Sequence, residues 1–211
     1  MNDILIAAIP ILLAVSLHET AHGLVAYWLG DDTAKSLGRL TANPLKHIDP
    51  VGTVLVPIVM VILLGFPFGW AKPVPVNPSR FANPLKDMAL VALAGPAANF
   101  LMAIFWALLM TASVHLLAGG ALRTVLIAMS GWGVGINLVL LVLNLLPLPP
   151  LDGGRIITGV MPLRAAHYFI RFERIGILLV ILLLASGFLG KILHPMVQSL
   201  QQQFYRFFGI A

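Results

Sequence analysis

Five long apolar runs shape this chain of 211 residues: Ile4–Leu29, Val51–Phe66, Met88–Leu117, Thr124–Leu146 and Ile175–Leu193. A helix that crosses the hydrocarbon core needs about 20 apolar residues, and four of the five runs meet that length. Only 10% of residues are charged and mean hydropathy is +0.96, against about 25% charged residues in soluble domains. The fold class expected is therefore an all-α polytopic membrane protein, forming a single domain over residues 1–211. The second run is shorter, with Pro57 inside and Pro67 behind it, and suits a re-entrant or short helix over 51–66. Core helices are expected at about 4–29, 88–117 and 124–150. A C-terminal membrane helix is expected over 175–193, and an interfacial tail over 195–211, where Gln alternates with Phe, Tyr and Arg. The N-terminus has no basic n-region or small-residue cleavage site, so it reads as an uncleaved membrane helix.

The net charge of +5 raises nucleic acid as a partner, but Lys and Arg are scattered through short loops with no basic stripe. No nucleic acid is expected, and the basic surplus fits a role in membrane topology. Cysteine is absent, which removes disulfides, thiolate metal ligands and a Cys nucleophile. Between the second and third runs lies "KPVPV", residues 72–76, which proline forces into an extended course.

One polar cluster interrupts the first run. Residues 18–22 read His-Glu-Thr-Ala-His, and on a helix positions i and i+4 share a face, so His18 and His22 can point at one ion. Ionisable groups inside a membrane are expensive unless paired or functional, and a metal accounts for His18, Glu19 and His22 together. A catalytic zinc takes three protein ligands and keeps a position for water. Trp28 stands where a third histidine of one common pattern would be, and Glu173 looks like a charged helix start. Asp152 is the better third ligand, in "NLLPLPPLDGGRI" after three prolines, although it could also cap a helix beginning near Arg155.

These residues resemble the site-2 protease family of intramembrane zinc metalloproteases, in its short prokaryotic type without a PDZ domain. His18, Glu19 and His22 match the first family motif, Gly95–Asn99 ("GPAAN") the middle one, and Asn144 through Asp152, Gly153 and Gly154 the last. The resemblance implies one Zn2+ per chain on His18, His22 and Asp152, with Glu19 as catalytic base and Asn144 touching substrate or oxyanion. It further implies hydrolysis of transmembrane or membrane-associated protein substrates, with zinc activating the water. The partners expected are such a substrate, the lipid bilayer and a second copy in a homodimer. A metal-ion transporter and a non-catalytic metal-binding scaffold are the alternatives; against transport, no inverted repeat is evident.

Depth constrains the topology. His18 and His22 lie about 20–28 Å along a helix from Ile4 at 1.5 Å per residue, and Asp152 also follows its apolar run. The two helices must run in parallel, with 88–117 antiparallel between them, so residues 31–87 begin and end on one side. Lys and Arg then divide ten to three in favour of the metal side, against seven to six if 51–66 simply spans. Short cytoplasmic loops hold the Lys/Arg excess, so the site is expected towards the cytoplasmic side of a cell membrane. Asn99 and Asn137 are expected to hydrogen-bond between helices. Gly95-Pro96 should kink its helix, and Gly131, Gly133 and Gly135 should form a packing face.

Overall fold

The computed structural model describes residues 3–64 and 69–210, and these are helical with no strand. The last two positions of the expected second run, 65 and 66, and the final tail residue, 211, lie outside the described residues. Among the described residues three helices are long and apolar enough to cross a membrane, α1 (Asp3–Trp28), α4 (Pro84–Leu116) and α5 (Ala121–Asn144), with a bent pair over Ile175–Ala185 and Phe188–Phe207 making a fourth if it counts as one span. The first three pack on one another as a bundle. Between α1 and α4 come two short helices, α2 (Thr33–Ser36) and α3 (Val56–Leu64). After α5 follow α6 (Asp152–Thr158), α7 (Leu163–Arg171), α8 (Glu173–Ala185) and α9 (Phe188–Phe207).

The sequence punctuates these helices clearly. Gly30, at φ +104°, reverses the chain after α1 while Asp31 N–H closes onto the Ala26 carbonyl. Pro84 opens α4, where its missing N–H costs no helical hydrogen bond. In the bundle centre, Trp106 on α4 packs against Val134 and Leu138 on α5. Of the three glycines in "GWGVG", only Gly133 serves this packing, since a Cβ there would run into the Trp106 indole. Cβ atoms at Gly131 and Gly135 would meet no described atom within 4 Å.

Among the described residues, the second apolar segment is too short to cross as a straight helix. The Trp70 N–H donates to the Gly52 carbonyl at 3.0 Å, and Thr53 Oγ1 donates to the Trp70 carbonyl. The chain has therefore returned to its starting point within 18 residues. A π-type turn over Pro50–Leu55 followed by α3 rises only about 20 Å at 1.5 Å per residue, short of the ~30 Å hydrocarbon thickness.

Two expectations about the later helices need correction. The core helix expected to reach residue 150 ends at Asn144, and a proline-rich turn leads to a separate helix that Asp152 begins. The helix expected over 175–193 breaks at Ser186–Gly187, where Gly187 adopts φ +70°, and α8 and α9 meet at 78°. The tail, expected over 195–211, also packs on the bundle. Phe204 on α9 is buried against the Ala103, Trp106 and Leu138 cluster, and Thr111 Oγ1 donates to the Phe208 carbonyl. The physical reason is that aromatic residues at 204 and 208 share one helix face, so the core can bury them.

Candidate metal centre

The C-terminal half of α1 presents His18 and His22 on one face, opposite the N-terminal half of α4. Gly95 on α4 makes the approach possible, because a Cβ there would lie 2.5 Å from His18 Cε1 and from His22 Nε2. Besides the kink expected at Gly95-Pro96, Gly95 thus provides clearance for two imidazoles.

The outer nitrogens of both rings are tied down. His22 Nδ1 lies 2.7 Å from the Val91 carbonyl oxygen, which can only accept, so Nδ1 carries the proton. His18 Nδ1 lies 2.6 Å from Asn99 Oδ1. Asn99 in turn donates from Nδ2 to Asn137 Oδ1 at 2.9 Å, and Asn137 Nδ2 donates to the Gly133 carbonyl at 2.8 Å. That final carbonyl fixes the orientation of both amides, so Asn99 offers an oxygen to His18 and His18 Nδ1 is also the protonated nitrogen. The two asparagines do bond between helices as expected, and Asn99 also sets a ligand tautomer. Sequence reasoning gave Asn99 only a packing role, although it ends the "GPAAN" motif.

With both Nδ1 atoms protonated, both Nε2 lone pairs face inward, 3.0 Å apart. Asp152 Oδ2 completes the triangle, 3.3 Å from His18 Nε2 and 3.4 Å from His22 Nε2. Asp152 is buried at the first position of α6, after Leu151 at the N-cap, and its Oδ2 has no hydrogen-bond partner among the described residues. Three atoms that can each give an electron pair to a metal thus converge on one point, an arrangement that suits a bound cation. One ligand atom from each residue lies within 4.8 Å of the others. Two imidazole nitrogens and one carboxylate oxygen form a donor set that suits zinc. A Cβ at Gly153 or Gly154 would press on the backbone of the preceding turn, so the glycines after Asp152 let that turn close.

Glu19 lines the same cleft, about 370 Å³ in volume, with Trp70, Val74 and Asn144. Its Oε2 accepts the Val74 N–H at 2.9 Å, and Gly23 one turn later makes room for Val74. The amides of Trp70, Lys72, Val74 and Asn77 all donate within the chain, and prolines fill 73 and 75. The extended segment therefore keeps little donor capacity for a pairing strand and holds Glu19 instead. Asn144 ends α5 at the cleft, and its amide makes no hydrogen bond among the described residues. Glu173 is not in the centre; it pairs with Arg155 at 2.6 Å.

Asp31, which the sequence gave no role, is fully buried. It accepts the N–H of Asn77 at 2.6 Å and the N–H and hydroxyl of Thr33, with Arg80 at 3.9 Å. Burial pushes its pKa up, but these hydrogen bonds and the Arg80 charge outweigh it and hold the carboxyl below its ordinary value. Asp31 thereby pins the far end of the segment that carries Val74. His47, also without an expected role, is buried and accepts the Lys72 N–H on its carbonyl, pinning the near end.

Comparisons with known proteins identify the family. A family model described as "Peptidase family M50" matches residues 110–187, which include Asn144 and Asp152. "Putative zinc metalloprotease YwhC" of Bacillus subtilis is 37% identical, over 95% of this chain and 90% of that protein. "Putative zinc metalloprotease Rip2" of Mycolicibacterium smegmatis is 29% identical over 95% of this chain and 73% of its own length. Its namesake in Mycobacterium tuberculosis is 32% identical over 67% of this chain and 52% of its own length. No solved structure matches. With a relative this similar along nearly the whole of both chains, the chain belongs to peptidase family M50, the site-2 protease family that its motifs resemble.

Proposed function

We propose that His18, His22 and Asp152 hold one zinc ion per chain and that Glu19 is the base of a peptide-hydrolysing site. The protein is an intramembrane zinc metalloprotease, working in a bilayer on membrane substrates. The observation that carries the site assignment is the convergence of two imidazole lone pairs and an unpartnered Asp152 oxygen on one point. A zinc ion held there supplies a Lewis acid that polarises the scissile carbonyl and acidifies water.

The chain's own residues supply the rest. Glu19 accepts the proton of the attacking water and delivers it to the leaving amine. The Val74 N–H fixes one carboxylate oxygen of Glu19, leaving the other to face the substrate. Asn144, with an uncommitted amide at the cleft, contacts the substrate or the developing oxyanion. Asn99 and the Val91 carbonyl hold the two imidazoles in the ligating tautomer. A helical substrate has to unwind locally before its carbonyl can reach the cleft, because its own hydrogen bonds hide that oxygen.

The site faces the cytoplasmic side of a cell membrane. Supporting this, the segments linking α1 to α4 carry basic residues on the metal side, and their re-entrant course returns them there. Whether the chain works alone or as a homodimer is read from the particle mass in detergent.

The test pairs two measurements on one variant. Glu19→Gln is expected to abolish cleavage of a co-reconstituted membrane substrate while zinc stays near one per chain, whereas Asp152→Ala loses the metal itself. Continued cleavage by Glu19→Gln would overturn the assigned base. Full zinc content in Asp152→Ala would overturn the ligand set.

A further inference from the structure

A second cavity, about 620 Å³, opens on the outside of the bundle between residues of α4 and α9. Its volume falls in the range of ligand sites, roughly 300–1,000 Å³. Phe100, Ile104, Leu200 and Phe204 form an apolar floor, and Gln203 and Arg206 stand at its edge. None of these residues takes part in the metal centre.

The cavity has a direction. Phe204 packs edge-to-face on Phe100, with ring centroids 5.8 Å apart, and Phe208 is joined to Thr111 further along α4. α9 thus runs alongside α4 towards its C-terminal end, away from the metal. Thr111 stands five residues before the end of α4, about 7–8 Å at helical rise. The Arg206 end of the cavity accordingly lies near the membrane surface opposite the metal centre, and the Phe100 end lies deeper. Arg206 is exposed and has no carboxylate partner among the described residues. An arginine at such a depth reaches for the headgroup region and needs an anion there.

We propose that this cavity binds one phospholipid of the leaflet opposite the metal centre, with its acidic headgroup on Arg206 and one acyl chain along Phe100, Ile104 and Leu200. The lining decides for a lipid over a free anion: Arg206 is the one charged residue, on the side nearer the C-terminal end of α4, and apart from Gln203 the rest of the lining is apolar. The bound lipid bridges α4 and α9, so it holds α9 on the core.

The full-length protein, purified in neutral detergent and exchanged with either phosphatidylglycerol or phosphatidylcholine, is weighed intact by native mass spectrometry. The expected result is one phosphatidylglycerol retained per chain in preference to phosphatidylcholine. Arg206→Gln should reduce that retention about fivefold, the worth of one interfacial cation. Ile104→Trp should fill the floor and remove both lipids. Because the chain has no cysteine, Ile104→Cys gives a single reactive thiol. Phosphatidylglycerol should protect it from a maleimide, and inorganic phosphate should not. Equal retention of both lipids, an unchanged Arg206→Gln variant, full protection by phosphate alone, or quantitative disulfide dimers through Cys at 104 would each overturn the proposal.

Discussion

His18 Nδ1 lies 2.6 Å from Asn99 Oδ1, and it is Asn137, on a third helix, that makes Asn99 present its oxygen rather than its amide nitrogen. His18, a proposed zinc ligand, is thus oriented by a hydrogen-bonded chain that crosses the whole bundle and ends on the Gly133 carbonyl. Asn99→Ala should lower zinc affinity about 10- to 100-fold, the usual effect of removing such a partner. Asn137→Leu should act in the same direction and more weakly, because Asn99 could then flip. Zinc competition with a fluorescent chelator measures both. Wild-type affinity in Asn99→Ala would show that the bond does not orient His18.

Clearance makes the second prediction. A methyl group at Gly95 would stand 2.5 Å from atoms of both imidazoles, whereas one at Gly131 meets nothing within 4 Å among the described residues. Gly95→Ala should therefore lose most bound zinc and most activity. Gly131→Ala, also in a membrane helix, should keep both and gain slightly in stability from its higher helix propensity. Zinc content by atomic absorption separates the two variants, and equal content in both would remove the steric argument.

The Val74 amide supplies the third. Val74→Pro deletes the N–H that Glu19 Oε2 accepts, in a segment that already carries Pro73 and Pro75. With its carboxylate free to turn, kcat should fall about ten- to a hundredfold, while zinc content and KM stay close to wild type. Gly23→Ala, which presses on the Val74 side chain from α1, should lower kcat through the same displacement. A drop in zinc content as large as the drop in kcat would instead indicate general damage to the site.

Acid sensitivity gives the fourth. Asp31 has its carboxyl held below the ordinary value of 3.8 by the Thr33 and Asn77 hydrogen bonds and the Arg80 charge, against the effect of burial. A lowered folded-state pKa stabilises the protein above the unfolded pKa, and that stabilisation disappears as pH falls through the folded one. Asp31→Asn should cost about 1–3 kcal/mol at neutral pH through the hydrogen bonds it weakens. The gap between variant and wild type should stay constant above about pH 5 and close below about pH 4. Thermal unfolding in detergent across that range checks it; a gap that widens in acid would contradict the sign.

Much of the protein was legible in the sequence because the bilayer enforces simple rules. Long apolar runs can only be helices, and α1, α4 and α5 lie where those runs are. His18, Glu19 and His22 announced themselves by being costly in such a run, and Asp152 by standing after an apolar stretch that proline had broken. Less was legible where tertiary packing chose between options that composition leaves equal. The core helix stops at Asn144, not near 150, because the proline-rich turn must bring Asp152 back towards α1. The apolar segment after Pro50 returns because Trp70 and Gly52 pair, which no hydropathy pattern encodes. The tail packs on the core because Phe204 finds Trp106 and Phe100, partners about one hundred residues away in the chain.

The sequence by itself thus determined the residue types of the proposed centre, the helix that carries His18, Glu19 and His22, and the parallel sense of α1 and α5. Helical spacing and hydrophobic length are local properties, read along one segment at a time. Only the tertiary structure decided that Asn99 and Val91 set the two histidine tautomers, that Gly95 makes room for the rings, and that Asp31 and Val74 together hold Glu19 in place. Each of those depends on atoms far apart in sequence meeting at hydrogen-bond distance, and only the packed bundle brings them together.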